Sequence, residues 1–478
     1  MRRHEFFCIR QFRRTYDRAE GKFSFNISYE THTKVTPRSL VVAEAFGLGV
    51  DEAQTFKVLD AELKIGPQDV LYITGDSGSG KSVLLRALHA DLGGEAADLS
   101  EVAVDPDKPL IETIGATVEE AIELLSRVGL NDAFLFLRSY SQLSDGQKYR
   151  YRIAKLVEGG RQWWLMDEFA ACLDRDTAKI IAFNLQKIAR QQGKAVIAAT
   201  THGDLFEDLK PSVHVHKRFG EEIQIRYFSN EAAEECSLTR EMHVEEGTLA
   251  SWRTLSVFHY RGHKVAVPRK IFQLVRGEEL CGVIVYSYPA PSCYGRRLVL
   301  PHMSMQELNA QLSVISRVVV HPKYRTIGLG AKLIRETLPY AGTPYVEMVA
   351  VMARYNPFAE KAGMQKIVEH QSTGPASNIA KALTDLHFDT QLLGSARYVQ
   401  GKLESLSATQ LGELKEAFAT NRHPKFDREF ASVRCQPFGN KANYVKAVKE
   451  MDLTRITRLI KVVGVLLEKK AYLFWKRP

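Results

Sequence analysis

Short apolar runs recur along the chain and are bounded by polar or glycine-bearing turns. Their length and their content of Val, Ile, Leu and aromatic residues predict buried strands. Two of the runs lead through a glycine-bearing turn directly into a helical pattern, so strands and helices alternate and the predicted fold class is α/β. The predicted strands lie at 68–74, 163–166, 195–201, 271–275, 280–286 and 314–322.

The turn after the first strand has the composition of a phosphate-binding loop. Its glycines let backbone N–H groups close around phosphate oxygens, and the helix that follows directs its N-terminal dipole toward the same anion. We expect Lys81 to reach the β- and γ-phosphates of ATP and the Ser82 hydroxyl to bind Mg²⁺. The predicted phosphate loop consists of Gly75, Asp76, Ser77, Gly78, Ser79, Gly80, Lys81 and Ser82.

Two carboxylates follow the predicted strand at 163–166. Asp167 is expected to hold Mg²⁺, directly or through water. Glu168 is placed one residue later, where a general base can polarise the water that attacks the γ-phosphate. An apolar run ending in two acids is common by itself, and it gains its meaning here from the phosphate loop.

Motifs on either side of this acidic pair resemble those of the ABC ATPase family. Residues 143–147, Leu-Ser-Asp-Gly-Gln, are similar to the family's LSGGQ signature, with Asp at the third position. Residues 171–174 resemble its D-loop, and a histidine after the strand at 195–201 stands at the place of its catalytic switch histidine. The resemblance implies adenine stacking by an aromatic residue and phosphate contacts by the others; these residues are Phe46, Ser144, Gly146, Asp174 and the histidine His202.

One segment departs from the transporter-type members of that family. At residues 108–115 the chain has Glu112 and no glutamine, where transporters carry their glutamine loop. The interval of 63 residues from Lys81 to Ser144 is also short, which predicts a small helical subdomain. No apolar run reaches the length of about 18 residues that a membrane span needs. The sequence therefore points away from transport.

The copy number of these motifs predicts the assembly. In the family, two ATP molecules lie between two protomers, and the signature of one protomer contacts the γ-phosphate bound by the other. Because this chain has a single phosphate loop and a single signature, we expect a homodimer that closes on ATP.

A second strand–turn–helix unit lies in the other half of the chain. The strand at 314–322 ends at a proline and is followed by Arg-x-x-Gly-x-Gly at 325–330 and a helix. A glycine turn at a helix N-terminus suits a pyrophosphate, and this form resembles motif A of the GNAT acyltransferases. The resemblance implies acetyl-CoA as a cofactor, held by Val318, Val320, Arg325, Gly328, Leu329, Gly330 and Asn356.

The segment at 356–364 resembles the closing helix of that second family and the strand start after it. Many GNAT enzymes place a tyrosine four residues before the closing glycine, as general acid to the departing thiolate, and here that position is Ala359. Tyr355 lies one helical turn earlier on the same face and is the candidate catalytic residue. The alternative is that Tyr355 is an ordinary helix residue.

Basic residues are concentrated at the end of the chain. The net charge is +9, and residues 396–478 hold 17 Lys and Arg against 8 Asp and Glu, a surplus that accounts for all of it. Such a region suggests a polyanion partner, with DNA or RNA first; the alternative is a solvated helical surface. Its aromatic residues either contact bases or pack the region onto the body; they are Tyr444, Tyr472, Phe474 and Trp475.

The N-terminus carries arginines and no apolar segment of a secretory signal, and the six cysteines are scattered without a C-x-x-C pair. These features predict a cytoplasmic protein with reduced thiols, no zinc site and no membrane association.

Three domains are predicted: an ABC-type ATPase with an N-terminal β extension at 1–235, a GNAT-like acyltransferase at 236–391, and a basic region with a helical pattern at 392–478. The two larger domains together resemble a mainly archaeal family of ABC-type ATPases fused to a predicted acetyltransferase. We expect an ATPase coupled to an acyl-CoA-dependent N-acyltransferase that acts on a macromolecule, with nucleic acid as the favoured acceptor. The alternative is a nucleotide-gated nucleic-acid-binding protein whose GNAT fold is inactive.

Overall fold

The structure is a computed structural model of the chain. It describes residues 7–31, 35–48, 54–259, 265, 267–351, 356–370, 374–430, 438 and 440–478.

Helices and strands alternate through most of the described chain, which confirms the α/β class. The strands are β1 (Phe7–Asp17), β2 (Lys22–Thr31), β3 (Gln54–Lys64), β4 (Val70–Gly75), β5 (Ala96–Asp98), β6 (Trp163–Met166), β7 (Ala195–Ala199), β8 (Val213–Lys217), β9 (Ile223–Tyr227), β10 (Met242–Glu246), β11 (Pro268–Arg276), β12 (Glu279–Ser287), β13 (Leu312–Val320), β14 (Tyr345–Ala350), β15 (Gln365–His370) and β16 (Lys470–Lys476). The helices are α1 (Pro37–Ala45), α2 (Lys81–Leu92), α3 (Val118–Arg127), α4 (Ala133–Phe136), α5 (Asp145–Glu158), α6 (Arg175–Gln192), α7 (Phe206–Leu209), α8 (Leu249–Ser256), α9 (Met305–Gln311), α10 (Leu329–Thr337), α11 (Phe358–Lys361), α12 (Pro375–Asp385), α13 (Ala396–Glu404), α14 (Ala408–Thr420), α15 (Pro424–Arg428), α16 (Lys441–Lys449) and α17 (Leu453–Leu467).

The chain packs as two compact units. The first consists of the described residues of Met1–Lys264, Ile271–Val285 and Arg317–Thr337, and the second of those of Val265–Lys270, Tyr286–Ser316 and Leu338–Pro478. Strands β11, β12 and β13 therefore contribute residues to both units. This division by packing differs from the domains expected at 1–235, 236–391 and 392–478, and those limits stay a prediction.

A six-stranded sheet forms the centre of the first unit, in the order β5-β6-β7-β4-β8-β9. Every neighbouring pair is parallel except β8 and β9. All six residues of β4 are buried, because successive side chains point to opposite faces and both faces are covered. Val70 and Tyr72 join a core with α5 and α6, whereas Leu71 and Ile73 join a core with α2.

The first unit contains two further groups of strands. The antiparallel sheet β1-β2-β3 packs its apolar side chains, such as Phe23 and Leu59, into the core shared with α2. Strands β10, β11 and β12 and the end of β13 are neighbours in that order. The hairpin predicted at 271–286 is confirmed as β11 and β12, joined by a turn in which Gly277 has φ of 59°.

The second unit contains the order β13-β14-β16-β15 together with helices α12 to α17, which share a core of their own. The helical pattern expected at 392–478 is wrong at its end, because residues 470–476 form strand β16. That strand lies between β14 and β15 and is antiparallel to both. Four consecutive residues, Ala471–Phe474, are buried, and such an aromatic-containing apolar run suits a central strand.

The burial of three of the four aromatic residues in the terminal region favours packing over contact with bases. Tyr444 and Tyr472 are fully buried and Phe474 is 7% exposed, while Trp475 is half-buried. The first three pack inside the second unit and offer no open ring to a base.

Within the described segments, no helix combines the length and apolar character of a membrane span.

Candidate functional site

The sequence-predicted residues of the phosphate site follow neighbouring strands of the six-stranded sheet. The phosphate loop follows β4, the pair Asp167 and Glu168 follows β6, and His202 comes shortly after β7, which lies between β4 and β6. Because the three strands are parallel, their carboxyl ends meet at one edge of the sheet, where open α/β sheets bind ligands.

Glycines at 75–82 allow a backbone path that other residues would obstruct. Gly75, Gly78 and Gly80 have φ values of 143°, 78° and 101°. A Cβ atom on Gly75 would lie 1.9 Å from the carbonyl oxygen of Lys217, its partner on β8. The close approach of two backbones therefore requires glycine at this position.

The Lys81 ammonium closes the phosphate loop on itself. Nζ donates hydrogen bonds to the carbonyl oxygens of Gly75 at 2.8 Å and Asp76 at 2.6 Å. Burial lowers the pKa of Lys81, and the carboxylates of Asp167, Asp76 and Glu168 act in the opposite direction. The Lys81 ammonium is therefore held near the acidic pair. A bound polyphosphate would bring further negative charge to this cation.

Polar atoms of the loop fit a nucleotide polyphosphate. The Ser79 hydroxyl oxygen is buried and has no hydrogen-bond partner within the described part of the chain, so a phosphate oxygen would satisfy it. Ser82 lies in the first turn of α2 and Asp167 directly after β6. These two oxygen donors suit Mg²⁺, which is typically held by few protein ligands together with phosphates. No cluster of three or more His, Cys, Asp or Glu side chains over the described residues is arranged to hold a metal.

Glu168 has a backbone conformation that is rare for a residue with a side chain. Its φ is 48°, in the left-handed region, which costs a non-glycine residue about 1–3 kcal/mol. Hydrogen bonds after it hold the turn: the Phe169 N–H donates to the Ala199 carbonyl oxygen at 2.7 Å, and the Ala170 N–H donates to the Tyr149 hydroxyl at 2.9 Å. The strained turn leaves the Glu168 carboxylate exposed at the sheet edge.

His202 is held through its backbone. The Tyr72 hydroxyl of β4 donates to the His202 carbonyl oxygen, and the His202 N–H donates to Thr200 Oγ1 at 3.3 Å. The imidazole is half-buried and takes no part in either bond. Two neighbouring strands thus fix the position from which the ring extends.

Ser144 and Gly146 lie at the beginning of helix α5. Ser144 is the N-cap, and its N–H donates to Gln147 Oε1 at 3.0 Å in a capping box. A Cβ atom on Gly146 would lie 3.2 Å from Leu173 Cδ2, so the absence of a side chain lets the next motif approach closely. The helix presents its N-terminal N–H groups beyond Ser144, as an anion site requires.

Asp174 is the N-cap of helix α6, where its side chain accepts the Thr177 N–H at 3.0 Å. The next residue, Arg175, donates two hydrogen bonds to the Asp204 carboxylate from one edge of its guanidinium, Nε to Oδ2 at 3.0 Å and Nη2 to Oδ1. Because Asp204 follows His202 by two residues, the start of α6 is fastened to the chain after the switch position.

The segment with Glu112 is fastened to the signature helix. Glu112 is exposed in a single helical turn. Thr113 Oγ1 lies 2.7 Å from the Tyr151 hydroxyl, and Lys155 Nζ donates to the Thr113 carbonyl oxygen at 2.9 Å. Since Tyr151 and Lys155 both belong to α5, the segment and this helix form one packed body.

Two exposed aromatic residues lie at the ends of elements of the first unit. Phe46 is 77% exposed and ends helix α1. Phe219, at the tip of the β8–β9 hairpin, is 64% exposed, and its Cε1 lies 3.7 Å from the position of a Cβ on Gly78. Phe219 is not among the residues predicted from the sequence, where the available signal is an aromatic residue directly before Gly220.

The second strand–turn–helix unit adopts the expected local order. Strand β13 ends at Val320, Gly328 has φ of 87°, and helix α10 begins at Leu329. No atom of the described residues would lie within 4 Å of a Cβ atom on Gly328, so this part of the chain leaves open space beside the turn. Gly330 lies in the first turn of α10, and Val318 and Val320 are half-buried.

Arg325 is engaged by backbone carbonyls. Its Nη1 donates to the Asn131 carbonyl oxygen at 2.8 Å, and its Nε donates to the Val320 carbonyl oxygen at 3.0 Å. Asn356 is exposed just before α11, and Ala359 is buried at 3%. Tyr355 lies outside the described residues. Six of the seven residues expected to hold acetyl-CoA, all except Asn356, therefore lie in the end of β13, the turn after it and the start of α10.

Curated proteins that resemble the chain match it over about a third of its length. The cytochrome c biogenesis ATP-binding export protein CcmA of Paracoccus denitrificans is 34% identical over 155 residues, covering 28% of this chain and 70% of that protein. The protein of the same name from Agrobacterium fabrum is 27% identical over 191 residues, covering 33% and 87%. The methionine import ATP-binding protein MetN of Xanthomonas oryzae pv. oryzae is 29% identical over 194 residues, covering 33% and 57%.

Solved structures with similarity to the chain include a dimeric ATP-binding cassette in a post-hydrolysis state with ADP and Pi. It is 19% identical, with a TM-score of 0.31, and the match covers 37% of this chain and 93% of that chain. No family model matches the chain.

Proposed function

We propose, from the premise that this chain belongs to the ABC ATPase family through its nucleotide-binding cassette, that ATP binding and hydrolysis by a homodimer control an acyl-CoA-dependent N-acyltransfer to a macromolecule. The observation that carries the nucleotide half is the edge formed by the ends of β4, β6 and β7. One phosphate loop, one acidic pair and one histidine follow these parallel strands.

Each residue at this edge is assigned a role in ATP hydrolysis. Lys81 binds the β- and γ-phosphates, and Ser82 and Asp167 hold the Mg²⁺ that neutralises phosphate charge. In hydrolysis, the water oxygen bonds to the γ-phosphorus as the bond to the β–γ bridging oxygen breaks. Glu168 accepts the water proton, and ADP and phosphate leave. His202, shortly after β7, orients the γ-phosphate.

The proposed dimer rests on the number of motifs, because one chain has a single phosphate loop and a single signature. Ser144, Gly146 and the N-terminus of the 14-residue helix α5 act on the γ-phosphate held by the other protomer, and Asp174 faces the same interface. Phe46 stacks on the adenine, with Phe219 beside the phosphate loop.

The acyl-CoA half rests on the β13 unit. Strand β13 pairs in parallel with β14 over Leu312–Val314, and it continues to Val320. In the proposed transfer, the loop with Gly328 and the start of α10 bind the pyrophosphate of acetyl-CoA. The acceptor nitrogen bonds to the thioester carbon, the C–S bond breaks, the nitrogen loses a proton, and Tyr355 protonates the thiolate.

Calorimetric titration of the full chain with acetyl-CoA up to millimolar concentration tests this half. Binding is expected, and Gly328→Asp should weaken it by placing a side chain and a charge in the open turn. Absence of binding would contradict the transferase. Mass spectrometry of nucleic acid and protein incubated with the enzyme, ATP and acetyl-CoA would identify the acceptor.

A second candidate is a nucleotide-gated DNA- or RNA-binding protein with an inactive GNAT fold. Two observations favour it: Ala359 is buried where many GNAT enzymes have tyrosine, and α16 exposes Lys441, Lys446 and Lys449. Since Tyr444 and Tyr472 are buried, such binding would depend on phosphate contacts. Replacing the three lysines with glutamine should then reduce affinity and flatten its salt dependence, whereas an unchanged salt slope would exclude this surface.

A further inference from the structure

Helix α6 begins at the predicted D-loop, and its first turn carries a carboxylate that the nucleotide chemistry does not use. Asp176 Oδ2 accepts from Lys323 Nζ at 2.6 Å and from Arg276 Nη1 at 2.9 Å, and the Tyr324 hydroxyl lies 3.4 Å away. Lys323 and Tyr324 form the turn between β13 and Arg325. Helix α6 therefore contacts the residues that lead into the loop at 325–330.

The charges around Asp176 are partly shielded from water. The side chains of Asp176, Arg276 and Lys323 are 20%, 23% and 31% exposed. Burial acts to raise the pKa of Asp176, but the hydrogen bond and charge of Lys323 and the charge of Arg276 outweigh it and lower the pKa. Asp176 is thus ionised, and replacing its charge would leave two cations without their shared partner.

A second link lies about two helical turns further along α6. Asn184 is 7% exposed, and its Nδ2 donates to Thr326 Oγ1 at 2.8 Å. Thr326 has φ of 76°, a left-handed conformation that is strained for a β-branched residue. The hydrogen bond from a buried amide holds this strained residue between Arg325 and the open Gly328.

A third link joins the same loop to the signature helix. Arg325 donates to the Asn131 carbonyl oxygen, and two residues earlier the Gly129 carbonyl oxygen accepts from Arg150 Nη1 at 2.9 Å. Arg150 belongs to α5, which Ser144 caps. The loop is therefore connected to both helices whose N-termini form the proposed nucleotide interface.

We propose that Asp176 and Asn184 are positioning residues through which helix α6 sets the conformation of residues 322–328, so that nucleotide binding at the cassette changes the affinity of this loop for acyl-CoA. The inference rests on the proposed function in taking the loop as the acyl-CoA site. Displacement of α6 on dimer closure alters the support of Thr326 and thereby the loop. Thermodynamic linkage makes the effect reciprocal, so acyl-CoA changes nucleotide affinity by the same factor.

The test measures acetyl-CoA affinity by calorimetry on the full chain, with and without a saturating non-hydrolysable ATP analogue and Mg²⁺. In the wild type we expect the analogue to change the dissociation constant at least about 5-fold, the lower end of typical allosteric coupling. Asp176→Asn and Asn184→Ala should bring this factor close to one while each ligand still binds alone. Glu241→Gln is the matched control, because Glu241 pairs with Arg276 and makes no bond to the loop; it should retain the factor.

Hydrogen exchange of the peptide covering 322–330 gives a readout that needs no acetyl-CoA. Its exchange should respond to the ATP analogue in the wild type and lose this response in Asp176→Asn and Asn184→Ala. The proposal is overturned if the ATP analogue leaves hydrogen exchange of the wild-type loop unchanged. It is also overturned if the exchange response persists in both variants. A normal exchange response without acetyl-CoA binding supports the positioning role and instead overturns the acyl-CoA assignment.

Discussion

The phosphate loop at 75–82 and the loop at 325–330 share a strand–turn–helix plan, but different parts of the chain hold their shape. Lys81 binds carbonyl oxygens of its own loop, at Gly75 and Asp76. In the second loop, Thr326 and Arg325 depend on side-chain and backbone groups at Asn184 and Asn131, well over a hundred residues earlier. We therefore expect the first loop to depend mainly on its own hydrogen bonds and the second loop to change when its support moves.

The largest expected effect is on ATP turnover. It distinguishes a residue that acts in hydrolysis at the phosphate loop from one that supports the loop at 325–330. Glu168→Gln should lower ATP turnover about 100- to 10,000-fold, the usual contribution of a general base, and should accumulate ATP-bound dimers. Asp176→Asn should leave turnover within about twofold, because Asp176 contacts the second loop and not the phosphate loop. Steady-state phosphate release and size-exclusion chromatography with ATP measure both.

Glu101→Gln provides the control for Glu168→Gln, since it removes an exposed carboxylate elsewhere in the same unit. Unchanged turnover in Glu168→Gln would remove its assignment as the base. A large loss in Asp176→Asn would show instead that the two loops are not separable.

A matched pair of glycine substitutions gives the next effect. Gly75→Ala would place Cβ 1.9 Å from the backbone oxygen of Lys217 in the neighbouring strand, so we expect a loss of about 4 kcal/mol or more and no nucleotide binding. Gly328→Ala meets open space and only the left-handed φ opposes it, at about 1–2 kcal/mol. Urea unfolding and nucleotide titration compare them, and equal losses would contradict the difference between the loops.

The sequence predicts a loop well when the groups that hold it are close to it in sequence, and poorly when they are distant. The acids after β6 and the histidine after β7 were placed correctly at strand ends, because an apolar run and its polar end are adjacent in sequence. Hydrogen bonds between Asn184 and Thr326, or Asp176 and Lys323, join positions that no periodicity connects. The same applies to β16, whose apolar run becomes a strand only because β14 and β15 lie on either side of it.

Acid sensitivity sharpens the comparison at Asp176. Asp176→Asn should cost about 1.5–3 kcal/mol of unfolding free energy at neutral pH, as for hydrogen bonds to charged groups. Because the folded-state pKa of Asp176 is lowered, its stabilisation is complete above the unfolded value of about 3.9 and is lost as pH falls through the folded value. Urea titrations between pH 7 and pH 2 should therefore show the wild type and the variant converging in acid. A difference independent of pH would assign the loss to packing.

The smallest expected effect is at Thr326, where the change in unfolding free energy caused by one substitution should have opposite signs in two backgrounds. Thr326→Gly relieves a left-handed conformation, which is worth about 1 kcal/mol, but it also leaves the buried amide of Asn184 without the Oγ1 acceptor, which costs about 1–3 kcal/mol. The substitution should thus destabilise the wild type slightly. In an Asn184→Ala background no hydrogen bond remains to be lost, so the same substitution should stabilise the protein by up to about 1 kcal/mol. Urea unfolding of the four proteins measures the cycle, and additive effects would mean that Asn184 does not hold Thr326 in its strained conformation.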